Sequence, residues 1–182
     1  MIDTSLLLEE KITSKAVYKG KLLHVYQDKV SLPNGDSSLR EWIKHPGACA
    51  IVPIYENGDI LMLHQFRYAA QQVFMEVPAG KIDTGESILE TATRELKEET
   101  GLEAEKLEYI GHFYPAIGYA NEVIHIYAAT GLHQSESDRD EDEFLELFRI
   151  PFKEAIDKVY TGEINDAKTM ACLLRTWKWW NT

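Results

Sequence analysis

A mixed α and β fold, with strands through the first half and two helices at the end, is what this sequence predicts. Three observations carry it. Short apolar runs up to residue 77 are separated by Gly, Asn and Pro turns; a capped amphipathic stretch covers residues 87–101; and two helix-like stretches close the chain. The 182 residues are 45% hydrophobic and 27% charged, the composition of a globular chain able to bury about 70% of its unfolded surface around one core.

Taken in order, Ala16–Tyr18 reads as a strand before the turn Lys19-Gly20-Lys21. Leu22–Leu32 follows, with Leu23, Val25 and Val30 as its inward positions. Pro33-Asn34-Gly35-Asp36 is a hairpin turn, Ser38–Lys44 its return strand, and His45-Pro46-Gly47 a break. Ala48–Tyr55 is continuously apolar, as in a strand covered on both faces. Glu56-Asn57-Gly58-Asp59 is a second hairpin turn, leading to strands Ile60–Gln65 and Val73–Val77. A helix then starts at Ser87, where Glu90 completes a capping box; Ile88, Ala92 and Leu96 share one face, and Gly101 stops it. Leu107–Phe113 and Glu122–Ala129 read as strands around the loop 114–119, and Gln134–Asp142 as a polar acidic loop. Pro151–Thr161 and Asp166–Trp180 are the closing helices, the second carrying Trp177, Trp179 and Trp180.

Composition excludes several classes. Lys and Arg number 19 against 30 Asp and Glu, a net charge of −11, and with no basic patch the chain repels nucleic acid. The longest apolar run, Ala48–Tyr55, is far short of the roughly 20 residues that span a membrane. Met1-Ile2-Asp3-Thr4 lacks a basic leader region and Glu9 and Glu10 follow, so the expectation is no secretory signal and a cytoplasmic location. Cys49 and Cys172 sit in apolar stretches and form no framework, as expected of reduced core thiols.

The helix carries the chemistry. Glu95 and Glu99, four apart, project from one face, and Glu98 lies beside them. Gathering them costs repulsion, and Glu98 and Glu99 stand near the end where the helix dipole disfavours anions. Arg94 is placed to hold a carboxylate by a bidentate contact, and Pro78-Ala79-Gly80 can turn a backbone carbonyl toward the same face. Carboxylates, a carbonyl and waters form an oxygen set suited to a hard divalent ion such as Mg²⁺.

Gly80, Glu86 and Arg94-Glu95-Leu96-Lys97-Glu98-Glu99-Thr100-Gly101-Leu102 resemble the Nudix box of the Nudix hydrolases at each of its defining positions. The resemblance implies an α/β/α sandwich around a mixed β-sheet with an N-terminal antiparallel β-sheet extension, residues 1–45, preceding a hydrolase domain, residues 46–182. It implies hydrolysis of a nucleoside diphosphate linked to another moiety, with Mg²⁺ or Mn²⁺. By the same resemblance Glu95 and Glu99 are metal ligands with the Ala79 carbonyl, Glu98 is a further ligand or water holder, Arg94 orients a glutamate, Glu86 braces the loop, and Gly80 and Gly101 shape its ends. One more carboxylate should serve as general base. Glu122, closing the run Tyr114–Asn121, is the first choice, with Glu141 and Glu143 of the acidic loop as the alternatives; Glu143 is also expected as an extra metal contact.

The resemblance extends beyond the box to the nucleoside diphosphate sugar branch, especially ADP-ribose pyrophosphatases, through Gln65-Phe66-Arg67-Tyr68-Ala69, Glu76–Asp83, Tyr18-Lys19-Gly20 and His45-Pro46-Gly47. It implies a homodimer that exchanges its N-terminal sheet, Arg67 on a phosphate, and Tyr18, Arg40 and Glu76 among the substrate contacts, with Tyr26 and Trp42 as other rings that could stack on a base. One departure stands out. The proline usual sixteen residues after the last box glycine is Ile117 here, and Pro115 comes two residues earlier. Residues 161–169 resemble the tail of GDP-mannose hydrolases, so ADP-ribose leads with GDP-mannose close behind. A non-catalytic nucleotide sensor is the reading from another class. Hydrolysis of nucleoside triphosphates or capped RNA fits less well, given the extra N-terminal sheet and the acidic charge.

Overall fold

The computed structural model describes residues 4–135 and 144–182. The chain divides into two compact units. One runs to His45 and includes Ala116–Glu122; the other comprises Pro46–Pro115 and Val123–Thr182.

In the first unit a 3-10 turn, Thr4–Leu7, precedes β1 (Glu10–Lys19), β2 (His24–Ser31) and β3 (Ser37–Lys44), an antiparallel sheet in that order. The β2–β3 turn is the expected one: Gly35 takes φ +88° and Asn34 and Asp36 bond each other's polar groups. Tyr26 stacks on Trp42 with ring centroids 5.2 Å apart, and the Trp42 indole N–H donates to Asp28 at 3.0 Å. β1 starts at Glu10, six residues before the expected start at Ala16, because its ladder with β2 continues past two bulges to Ser31. Every residue of β1 is exposed. Residues 116–122 join this unit through Ile43, whose N–H donates to the Tyr119 carbonyl at 2.8 Å.

The second unit holds β4 (Ala48–Pro53), β5 (Asp59–Arg67), β6 (Gln72–Glu76), β7 (Ala79–Lys81), α1 (Ile88–Thr100), β8 (Leu102–Phe113), β9 (Ile124–Gln134), β10 (Leu145–Pro151), α2 (Phe152–Thr161) and α3 (Ala167–Trp180). A mixed sheet runs β7-β4-β9-β8, with β4 and β9 parallel, and an antiparallel sheet runs β10-β5-β6. β4 is buried along its whole length, as its unbroken apolar run requires. Its pleat sorts it between two cores. Ala48, Ala50 and Val52 pack with Phe152, Ala155, Ile156 and Leu173 of α2 and α3. Cys49 and Ile51 pack with Ala92 and Leu96 of α1. Two-residue alternation on a central strand thus builds a helix layer on each face.

Boundaries shift for identifiable reasons. β8 begins at Leu102, directly after the α1 cap, five residues before the expected Leu107, and β9 runs Ile124–Gln134 because these two strands pair nearly end to end. The strands β7 and β10 are additions to the sequence reading. β7 is three residues long, and β10 buries Ile150 fully without a clean alternation. Trp177 packs edge-on against Phe152 at 5.0 Å, and Trp177 and Trp179 lie against the α2–α3 core.

Both cysteines are free and buried. Burial, with the nearby charges of Glu95 and Glu86 adding to it, pushes the Cys49 thiol up to about 12; burial alone does most of the same for Cys172, also to about 12. The Cys49 thiol donates to the Ile88 carbonyl. Among the described residues no helix is long and apolar enough to cross a membrane.

Candidate active site

Local rules fix α1 in register. Ser87 caps it, accepting from the Glu90 N–H at 3.3 Å while the Glu90 carboxylate accepts the Ser87 N–H at 2.8 Å. At the other end Gly101 takes the left-handed φ of +67°, a conformation other residues adopt at a cost. With its ends so placed, the helix turns Glu95 and Glu99 inward beside Leu96, and they are 9% and 4% exposed. Nearly buried carboxylates on an apolar helix face carry a solvation cost that partners must offset.

The partners come from β7 and from Arg94. The Glu99 carboxylate accepts the Ala79 N–H at 2.9 Å. Gly80 lies so close to Glu95 that a Cβ there would fall 1.9 Å from Oε1 and 2.2 Å from Oε2, so any larger residue would push the Glu95 carboxylate from its place. Arg94 donates to Glu95 at 2.7 Å and to Glu98 at 2.8 Å from one nitrogen, Nη1. Its bidentate contact falls on Glu86, at 2.8 and 3.0 Å, and a further bond reaches the Lys81 carbonyl at 3.1 Å. The hydrogen bond from Arg94, helped by those from Thr91 and the Asp83 N–H and opposed by partial desolvation, holds the Glu86 carboxyl at about 2. Glu86 therefore ties the loop before the helix to Arg94. Lys97 turns away to Glu103 at 2.7 Å.

A second ionic cluster lies in the same unit. Arg67 grips Glu76 with two bonds of 2.7 and 2.6 Å, and Lys168 approaches the same carboxylate at 3.0 Å. Glu76 is 2% exposed. Burial pushes its carboxyl up, and the bonds from Arg67 with the charge of Lys168 more than offset this, so its net shift is downward. The negative charge of Glu99 also acts on Arg67, raising its pKa after the larger effect of the Glu76 bond. The sequence named Arg67 and Glu76 singly as substrate contacts; they are each other's partners, and Glu76 has almost no surface for a ligand. Lys168, Asp166 and Thr169 lie in the stretch 161–169 that resembles the GDP-mannose hydrolase tail. The Asp166 cap three residues before Thr169 is readable from the chain, but the approach of Lys168 to Glu76, 92 residues away, is not.

The remaining candidates fall elsewhere. Glu122 belongs to the first unit, 3.6 Å from His45 Nδ1. Tyr18 is exposed on β1 with its ring against Gly20. Arg40, on β3, pairs with Glu9 and bonds the Ser38 hydroxyl. Glu141 and Glu143 lie outside the described residues.

Among the described residues no group of three or more His, Cys, Asp or Glu side chains stands in a ready metal-binding arrangement. The donor set nonetheless fits a hard divalent cation. It consists of oxygens, two of its carboxylates are nearly buried, and Gly80 keeps the strand clear against Glu95.

A capped helix lined with carboxylates, packed on a mixed sheet against a glycine rim, defines a class. The NUDIX domain profile matches residues 44–173, and the chain belongs to the Nudix family. It is a hydrolase of that family, whose members need a divalent metal. Its relatives include the ADP-ribose pyrophosphatase of Bacillus subtilis (strain 168), 43% identical over 165 residues and covering 89% of each chain. The methanol dehydrogenase activator of Bacillus methanolicus is 40% identical over 167 residues, 90% of each chain. The crystal structure of an ADP compounds hydrolase matches with a TM-score of 0.84 over 95% of this chain and 94% of that one; at 23% identity the likeness is one of fold.

Proposed function

We propose that the protein hydrolyses the diphosphate bridge of nucleoside diphosphate sugars, with ADP-ribose foremost, to AMP and ribose 5-phosphate. The observation that carries this is the Glu95–Glu98–Glu99 face, bracketed by Arg94 and closed against Gly80. The similarity to the Bacillus subtilis ADP-ribose pyrophosphatase supports the choice of substrate.

Glu95, Glu99 and the Ala79 carbonyl would hold Mg²⁺, or Mn²⁺ in its place, with Glu143 as a further contact. When bound, the ion neutralises diphosphate oxygens and acidifies a water. Arg94 keeps two of the carboxylates in place and so restricts where they reach. Arg67 binds a phosphate. Water adds to one phosphorus, the bridging P–O bond breaks, and Glu122 accepts the proton released by the attacking water. The N-terminal sheet, residues 1–45, serves dimerisation and contact with the base through Tyr18 and Arg40, in a cytoplasmic homodimer.

The test is release of AMP and ribose 5-phosphate by the purified chain supplied with ADP-ribose and Mg²⁺, with and without EDTA. Parallel reactions use GDP-mannose, ADP-glucose, dGTP and capped RNA. EDTA-sensitive turnover greatest on ADP-ribose is expected. Absence of metal-dependent turnover on every compound would leave the sensor reading instead. Glu122→Gln should slow turnover strongly while substrate still binds; a fully active variant moves the base to Glu141 or Glu143.

A further inference from the structure

The first turn of α3 touches the hydrolytic site's supports, Glu76 and Val77. Asp166 caps the helix through the Thr169 N–H at 2.9 Å and hydroxyl at 2.7 Å, so the positive helix end and Thr169 stabilise its charge. Lys168, its side chain 14% exposed, lies 3.0 Å from Glu76 and 3.3 Å from Asp166, and donates to the Val77 carbonyl at 3.3 Å. The Val77 N–H donates to the Thr169 hydroxyl at 3.2 Å in a buried setting. One helical turn thus holds both backbone groups of Val77 and one carboxylate, Glu76. Through Glu76 it reaches Arg67. Through Val77 it fixes the chain two residues ahead of Ala79, which bonds Glu99, and three ahead of Gly80, which packs on Glu95.

The charge arithmetic gives this contact a role beyond packing. Arg67 and Glu76 by themselves form a neutral pair, and a guanidinium spent on a buried carboxylate attracts a phosphate weakly. Lys168 adds a second cation to that carboxylate while sharing its charge with Asp166 at 3.3 Å, so Glu76 does not depend on Arg67 alone and the guanidinium, 44% exposed at its side chain, stays open to a second anion.

We propose that Lys168 is a positioning residue of the hydrolytic site: by sharing Glu76 and anchoring Val77, it keeps Arg67 aimed at the substrate diphosphate and sets the Ala79–Gly80 rim against the catalytic helix. This deepens the reading above and rests on it.

The test measures kcat and KM for ADP-ribose with Mg²⁺, together with Tm, for the full chain and for Lys168→Met, Lys168→Gln and Lys168→Arg, each also in an Arg67→Ala background. Lys168→Met and Lys168→Gln should raise KM about tenfold, with a smaller fall in kcat. Lys168→Arg should recover most of the loss. Once Arg67 is gone, the Lys168 substitutions should add less than about twofold to KM, because on KM the two residues act through one carboxylate, while the smaller fall in kcat carried through Val77 remains. A lowered Tm with unchanged kcat and KM in either neutral variant would make the contact structural and overturn the proposal. Losses in KM that multiply fully with Arg67→Ala would overturn it as well. If the wild-type chain turns over no nucleotide sugar, the functional reading falls and this inference with it; an active wild type with normal Lys168 variants sinks this inference alone.

Discussion

Arg94 and Arg67 solve opposite problems. Arg94 sets a single positive charge among Glu86, Glu95 and Glu98. Arg67 and Lys168 set two around Glu76, with Asp166 capped by its own helix. The first gathers three carboxylates around one guanidinium, an oxygen-rich face suited to a cation. The second holds its carboxylate from two sides and leaves a part-exposed arginine suited to meet an anion. A hydrolase of diphosphates needs both kinds of surface, and the two clusters divide the work by how many cations share each carboxylate.

The contrast breaks most sharply at the carboxylates themselves. Glu99→Gln removes a charge from the cation-drawing face and should lower kcat by about 10³-fold at saturating Mg²⁺; a loss below tenfold would assign that face another role. Next come the two arginines, taken one at a time. Arg94→Ala should raise the Mg²⁺ concentration for half-maximal activity about tenfold or more, and cost about 2 kcal/mol of stability, or about 6 °C in Tm. Arg67→Ala should raise the KM for ADP-ribose and leave the Mg²⁺ midpoint in place. A shift of that midpoint in both variants would merge the two clusters into one.

A titration sharpens the picture further. The folded-state pKa of Glu86 is depressed from an ordinary 4.5 to about 2 by Arg94. The stabilisation it represents is present above about pH 4.5 and fades as pH falls toward 2. Carboxyl NMR should therefore show Glu86 ionised at pH 3.5 in the wild type and returning toward the ordinary value in Arg94→Ala. The smallest effect belongs to an ion pair outside both clusters. Lys153→Ala removes an exposed i,i+4 contact with Asp157 of 2.7 Å and should change stability by less than about 0.5 kcal/mol, with kcat unaltered.

Much of this was legible from the chain because local rules decided it. The cap at Ser87, the stop at Gly101 and the inward pair Glu95 and Glu99 follow from spacing within one helix. The unbroken apolar run of β4 foretold a strand covered on both sides. Contacts that close over long loops were not legible. The helix spacing pointed Arg94 at the glutamates beside it, and the bidentate grip went eight residues back to Glu86, because the loop from Asp83 folds under the helix start. The contact of Lys168 with Glu76 is of this kind, since nothing near Lys168 in sequence announces Glu76. The strands β7 and β10 were missed for want of length or alternation, their pairing being dictated by neighbours already in place.

The two sealed thiols have a practical consequence. With Cys49 and Cys172 protonated up to about pH 12 and shut away from solvent, almost no thiolate exists at neutral pH to react with peroxide or an alkylating reagent. The folded hydrolase should keep its activity in air without a reductant, and iodoacetamide should label it only as fast as it unfolds.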